Sequence, residues 1–457
     1  MSLSKLHIPT LALSVLFCLA SLPALADSHV RIVRLSYIDG GVQVSRADTH
    51  EYQKAMTNLP IAEGMKLRTA DDGKAEVEFE DGSTLHIVPD SIVEFSQLSL
   101  RDSGSKVTGV EVTRGTAYLN FTGMKDDEFS VQFGKEKIEL HRAAHLRVDL
   151  GYQNDSVAVF KGVIQVDGPN GAVELKKNQT LNFDASENGG YKLAKNIRDE
   201  PWDDWDDQQN QYHDRYAKAY SSYSPYAYGS ADLSYYGSFF NYPGYGILWQ
   251  PYFAGIGWDP FMDGAWMFYP GWGYGWVSGY PWGWTPYHYG TWTFLAGRGW
   301  AWQPGGTWNP WYRQPLVANA PKGFVAPHAP TAGTSLVMVN RGTISTFAGS
   351  TLVLRNNSAG LGVPRGQFDH MSKLSQKVET HGSVNQRVEP VTMNSPARIG
   401  AGEMGPGMQG RSNTRMGSSS ASRGSAPPAM HQTMSSPPMS APSSRGSSAP
   451  AGGPAHK

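Results

Sequence analysis

Cysteine is almost missing from this sequence: Cys18 is the whole supply in 457 residues, and it lies in the N-terminal segment. A chain trimmed of that segment has no disulfide, so its small elements must be held by burial alone. Charge of one sign is missing too. The net charge is −1, which gives no global argument for nucleic acid or for an acidic ligand as partner. After the N-terminus no apolar run reaches the roughly 18 residues that cross a bilayer as a helix, so no integral membrane segment is expected in the mature chain. Tryptophan is absent from both ends, because all 14 lie between positions 202 and 311. That confinement draws a domain boundary without the help of any motif.

Catalytic signatures are missing as well. His141 and His145 stand four apart without the glutamate of a zinc-protease helix. Asp203, Asp204, Asp206 and Asp207 lack the glycine spacing of a calcium loop and read as the solvated start of a helix. No glycine loop precedes a helix to cradle phosphate, and no serine or cysteine sits at a strained elbow. Met404, Met408, Met430, Met434 and Met439 with His431 form a soft-ligand set, but low-complexity drift explains them better. The expectation is therefore no catalytic residue, no metal and no cofactor.

What is present begins with a leader. Lys5 and His7 precede an apolar run from Leu11 to Leu22, followed by Ala24-Leu25-Ala26. This is the layout of a cleavable signal peptide over 1–26, with the mature chain starting near Asp27 in the periplasm or beyond. Val15-Leu16-Phe17 ahead of Cys18 lacks the small residue of a lipoprotein signal.

Residues 30–185 alternate apolar and polar positions in short runs broken by Gly, Asp and Asn, the pattern of an all-β sandwich, roll or barrel. Glu76 to Val88 is the cleanest hairpin, with Asp81-Gly82 placed for a two-residue turn. Gly64, Leu67 and Thr69, then Asp81-Gly82-Ser83, Arg114-Gly115 and Lys161-Gly162-Val163, carry a resemblance to the FecR-like domain family of bacterial envelope proteins. One departure is Ala143-Ala144-His145-Leu146-Arg147-Val148, where the family has a Gly-Thr pair before its strand. The resemblance implies an all-β domain. Well-studied FecR-type regulators place an anti-sigma segment and a membrane helix ahead of it. Here a cleavable signal takes that place, so transmembrane signalling is not carried over.

Residues 199–222 predict an amphipathic helix. Pro201 suits its first turn, acidic residues complement its dipole, and Trp205, Tyr212, Tyr216 and Tyr220 form an aromatic stripe that packs on the next domain.

Residues 233–314 then repeat one unit three times, roughly 26 residues apart: Gly237 to Pro251, Gly264 to Ser278 and Gly290 to Pro304. Each copy is an aromatic run, a Gly-x-Gly and a second aromatic run, which predicts a β-hairpin that must stack on its neighbours. Centring the loops on Gly-x-Gly puts Phe294 opposite Trp302, Phe268 opposite Trp276 and Asn241 opposite Trp249. The stretch from Leu233 to Gly290, with its Trp282-Gly283-Trp284-Thr285-Pro286-Tyr287-His288-Tyr289-Gly290 string, resembles a Trp/Tyr/Gly-rich domain of unknown function. That domain accompanies FecR-like domains in secreted bacterial proteins. Residues 315–392 read as loosely structured, with strands near Ser335 to Val339 and Thr351 to Leu354. Residues 393–457, rich in Ser, Gly, Pro and Met, read as a disordered tail.

More aromatics are present than one face can bury. Tyr245, Trp272, Tyr274, Trp284, Tyr287 and Arg298 fall at loops and turns and are the candidate ligand-binding residues. The sequence thus points to an exported, non-enzymatic binding or scaffold protein recognising an envelope protein or a polysaccharide such as peptidoglycan. The alternative is a periplasmic sensor acting through its FecR-like domain. A sugar hydrolase would have to use Asp259 and Asp263, the only carboxylates near the repeat's core.

Overall fold

A computed structural model describes residues 31–47, 51–123, 125–151, 154–184, 190–217, 224–309, 316–331, 336–340 and 344–388. The leader and the tail from 389 onward lie outside these residues. So does Tyr220 of the expected stripe.

Residues 33–194 form a seventeen-stranded sheet folded into two layers. Its hinge is the sixteen-residue strand Lys106–Phe121. The first half of that strand pairs with Ile92–Leu100 and, in parallel, with Glu128–Phe133. Its second half pairs with Thr84–Ile87 and Ala144–Leu150. The crossing falls at Arg114-Gly115, where the register slips against Ile92 and Val93 and Gly115 takes φ +77°. A bulge of this kind re-aims a strand, and a side chain at Gly115 would collide with Ser91. Between the layers lie Val44, Leu67, Val93, Phe95, Val131 and Ile138 with Leu35, Val77, Leu85, Leu119, Leu146 and Val157, all fully buried. The Glu76–Val88 hairpin closes differently from the expectation. Phe79 N–H bonds Ser83 C=O and Gly82 sits at φ +84°, so the loop is the three residues Glu80-Asp81-Gly82.

The first helix, α1 (Asp203–Tyr216), lies inside the expected span. A second helix, α2 (Ser230–Tyr236), occupies the start of what reads as the repeat. The three hairpins follow as Gly237–Tyr242 with Gly246–Pro251, Asp263–Tyr269 with Gly273–Ser278, and Thr291–Leu295 with Gly299–Gln303. The short helix α3 (Thr285–His288) joins the second to the third. The first and third hairpins meet through Trp249 and Trp302 in one five-stranded sheet. The second pairs instead with Leu336–Asn340.

The cross-strand partners need correction. Phe294 faces Trp300 and Trp292 faces Trp302; Phe268 faces Tyr274 and Trp266 faces Trp276; Trp249 faces Phe239, not Asn241. Each turn closes from residue i to i+3 (Tyr242 to Tyr245, Tyr269 to Trp272, Leu295 to Arg298), with Gly244, Gly271 or Gly297 at positive φ in the third position. Pro243 and Pro270 precede the first two of these glycines, the composition of a type II turn. The loop therefore centres one residue earlier than Gly-x-Gly suggests, and partners shift by two. A shift of two keeps every side chain on its face, so the aromatic face survives. Trp249, Trp258, Trp282, Trp292 and Trp302 are all buried, with ring centroids 4.9 Å apart for Trp249 and Trp282 and 5.7 Å for Trp258 and Trp292.

The segment after 315 is better ordered than its composition implies. Strands Thr346–Ala348, Thr351–Arg355 and Ser383–Arg387 form a sheet, and α4 (Met371–His381) turns Met371, Leu374 and Val378 into the tryptophan cluster.

The two β-regions share their interior. Met267, Tyr269, Val277 and Trp284 belong to the same apolar cluster as the two-layer core. Tyr269 donates its hydroxyl hydrogen to Pro60 C=O at 2.8 Å, and Asn58 Nδ2 donates to the carbonyls of Ser278 and Tyr280 at 3.0 and 2.7 Å.

Candidate functional site

The second layer of the sheet has a polar outer face, as its alternation dictates: Arg34, Ser36, Glu76, Glu78, His86, Tyr118, His145 and Arg147. Cross-strand pairing lines these up in rows, Glu76 beside His86, His86 beside Tyr118 and Tyr118 beside Arg147. Water does not cover this face. Helix α1 lies on it and presents Asp203, Asp206, Asn210 and His213, spaced three, four and three apart, as one stripe.

Each stripe residue meets its row. Asp203 accepts from Tyr118 Oη at 2.8 Å and pairs with Arg147 at 2.5 Å. Asp206 pairs with His86 Nδ1 at 2.6 Å and His145 Nε2 at 2.7 Å. Asn210 donates to Asp206 at 3.2 Å and accepts from Asn120 at 3.0 Å. His213 Nε2 lies 3.0 Å from Glu76 Oε1. Arg365, carried in from far along the chain, reaches Glu76 at 2.8 Å and Asp232 of α2 at 3.2 Å. Arg34 completes the set with Glu78 at 2.9 Å and Asp232 at 2.7 Å.

The charge balance is tight. Glu76, Glu78, Asp206 and Asp232 are four buried carboxylates facing the two guanidiniums of Arg34 and Arg365. The imidazoles of His86 and His213 face the same carboxylates. Burial opposes charge on His86, but its pairing with Asp206 and Glu76 outweighs that and raises its pKa to about 9. Burial likewise opposes charge on His213, and Glu76 raises it. Asp206 is pushed up by burial yet brought down to about 2 by hydrogen bonds from His145 and His86. Glu76 is held well below the carboxylate range, burial being overcome by Arg365 and His213. Glu78 goes the other way, because burial outweighs Arg34 and His213. His86 Nε2 and Glu76 Oε2 stand 3.2 Å apart without hydrogen-bond alignment, and His213 Nδ1 lies 3.9 Å from Glu78 Oε1.

The acidic cluster read as solvated is therefore split. Asp204 and Asp207 are exposed, while Asp206 is buried as the centre of the seam. None of the seam's pairings was recognised in the sequence. Asp206 and His213 could have been found from the spacing of the stripe, whereas nothing local marks Arg365.

The six candidate ligand residues do not form one site. Trp284 and Tyr287 are interior: Trp284 sits between Tyr228 and His288, with ring centroids 5.4 and 4.1 Å away, and Tyr287 bonds Pro260 C=O. They cannot meet an external ligand without unfolding. Trp272 is half-buried and packs against the two-layer core. Tyr274 stands edge-on to Phe268 at 5.4 Å. Tyr245 and Arg298 do not touch; they stand at the two ends of one row of rings on the five-stranded sheet, Tyr245 beside Gln303 and Arg298 beside Gln250. The Arg298 guanidinium lies 3.8 Å above the Phe240 ring, and the Phe240, Tyr242 and Tyr245 rings follow at 6.4 and 5.8 Å. Asp263, one of the two carboxylates weighed for hydrolysis, is raised to about 6 by burial alone.

Residues 65–165 match the FecR protein family, and residues 230–330 match a family of unknown function, DUF6600. The chain thus carries a FecR domain over 65–165. Its particular architecture is a FecR domain followed by a DUF6600 domain. Two crystal structures of a proposed anti-sigma factor from Parabacteroides distasonis ATCC 8503 align with it at 17% and 18% identity, each with a TM-score of 0.26. The alignments cover 30% and 29% of this chain and 63% and 59% of those, so the chain spans less than two thirds of either. No curated protein matches the chain.

Proposed function

We propose that this protein is an exported, non-catalytic sensor of the bacterial envelope whose FecR domain engages a protein partner. The observation that carries the reading is how the FecR domain is occupied. Helix α1 and Arg365 already cover its polar face, which leaves its far edge for a partner. There the strand Tyr191–Ala194 pairs on one side only among the described residues, and Tyr191 and Leu193 are 50% and 42% exposed. An open edge with projecting apolar side chains is suited to strand addition by an extended segment of another protein. The test is a photo-crosslinking residue at position 193 in the full chain within cells, with transcript profiling alongside. The reading expects one protein adduct, its loss in Tyr191→Asp/Leu193→Asp, and a transcript profile in that variant matching a strain without the gene. No adduct, together with an unchanged profile in both strains, overturns it.

A second reading, binding of an envelope polysaccharide, is favoured by the ring-and-amide face that holds Tyr245, Arg298, Gln250 and Gln303. Retention of the mature chain on insoluble peptidoglycan and its loss in Tyr245→Ala would support it. Tyr245 is the informative position, because Trp272 packs against the two-layer core.

A further inference from the structure

We infer that the cleft between the tip of the first hairpin and the end of the third is a binding site for a neutral saccharide ring. This rests on the polysaccharide reading and gives it a place and a chemistry. The cleft holds about 460 Å³, within the range of small-ligand sites (about 300–1,000 Å³). Tyr245 and Tyr289 line it with Ile247, Gln303, Pro304 and Ser224, and none of the described lining residues is charged.

The absence of charge selects the ligand class. A carboxylate or ammonium entering here would shed part of its water without finding a counter-ion. The lining instead offers two tyrosines and an amide side chain. Gln303 commits its Nε2 to Tyr245 C=O at 2.8 Å, which leaves its Oε1 as an acceptor. A pyranose has the matching make-up, an apolar C–H face with hydroxyls around its edge.

Both tyrosines are held before any ligand arrives. Tyr245 sits between Gly244 and Gly246, both at positive φ, and its hydroxyl accepts from Asn319 Nδ2 at 2.8 Å. Tyr289 closes helix α3 with its N–H on Thr285 C=O at 3.0 Å, and its own C=O accepts from Trp302 Nε1 at 2.7 Å. Rings pinned through their backbones lose little freedom on binding, so modest contacts yield measurable affinity.

The experiment is saturation-transfer NMR on the full mature chain. Methyl glucoside and methyl N-acetylglucosaminide serve as neutral probes and glucuronate as the charged one. Transfer is expected to the ring protons of at least one neutral probe, and weaker transfer to glucuronate. Tyr289→Ala and Gln303→Ala should each lower affinity at least ~10-fold, with tryptophan fluorescence reporting that the hairpins still fold. Tyr245→Phe, which keeps the ring, should retain binding. No transfer to either neutral probe, or transfer unchanged in both Tyr289→Ala and Gln303→Ala, overturns the cleft. Peptidoglycan retention that survives both substitutions overturns the cleft and leaves the polysaccharide reading standing. Probe binding lost in the variants, without peptidoglycan retention of the unaltered chain, keeps the cleft and sinks that reading.

Discussion

The FecR domain and the DUF6600 domain bury their β-faces with different residues. The FecR sheet contains no tryptophan; valine, leucine, isoleucine and phenylalanine fill the space between two layers whose strands reach sixteen residues. The DUF6600 hairpins have strands of five to seven residues and use tryptophan and tyrosine throughout. The difference follows from element size. A long, two-layered sheet presents enough positions for medium side chains to close a core, whereas short hairpins are marginal on their own and need more buried area per residue. What the comparison teaches is that neither region is self-contained. The aliphatic core admits Tyr269 from the second hairpin and Trp284 from the turn ahead of α3, and the polar outer face of the FecR sheet is covered by a helix and an arginine from outside that sheet.

That comparison is most severely broken at the seam. Arg365→Ala leaves Glu76 and Asp232 as buried carboxylates short of a guanidinium, and should cost about 3–5 kcal/mol in denaturant unfolding. The loss should appear in both regions at once, although Arg365 belongs to neither sheet. Next come the two cores themselves. Trp282→Ala should cost about 3–5 kcal/mol and Val157→Ala about 1–3 kcal/mol, because the indole fills a space its short strands cannot collapse into. Equal costs would mean that the tryptophans are replaceable bulk.

The pH dependence follows from the imidazoles and Asp206. His86 has a folded pKa raised from 6.5 to about 9, so its contribution is present below pH 6.5 and is lost as pH climbs to 9. Asp206 is lowered from 3.8 to about 2, so its contribution is present above pH 3.8 and fades as pH falls toward 2. Stability measured across pH should therefore be greatest between about 4 and 6.5, and His86→Gln should flatten the alkaline fall. The smallest effect belongs to the turns. Gly271 stands at φ +80° with nothing within 4 Å of where a Cβ would lie, so Gly271→Ala tests backbone strain alone, at about 1 kcal/mol.

Much of this was legible in the chain. The alternation of residues such as Glu76-Val77-Glu78 announced a sheet with one apolar face, and the glycine pairs announced three hairpins. Hairpin register departs from the Gly-x-Gly expectation because Pro243-Gly244 and Pro270-Gly271 set the turn one residue earlier. Helix α4 carries its signal in Met371, Leu374, Val378 and a following Gly382, but it sits within a segment whose composition reads as loose. The seam was hidden for a deeper reason. Alternation gives each side chain a face, not what covers that face, so Glu76, His86 and Asp206 looked solvent-bound until helix α1 was laid across them. Trp284 and Tyr287 were misjudged for the same reason, as turn residues that the fold encloses.

The central claim is that FecR and DUF6600 domains stand or fall as one body through a buried ionic seam. Since every tryptophan lies between 202 and 311, fluorescence reports the hairpins and helix α1, while amide exchange in Lys106–Phe121 reports the FecR sheet. Denaturant titration of the unaltered chain followed by both probes should give a single coincident transition. Protected amides in Lys106–Phe121 persisting after the tryptophan signal has gone would contradict it.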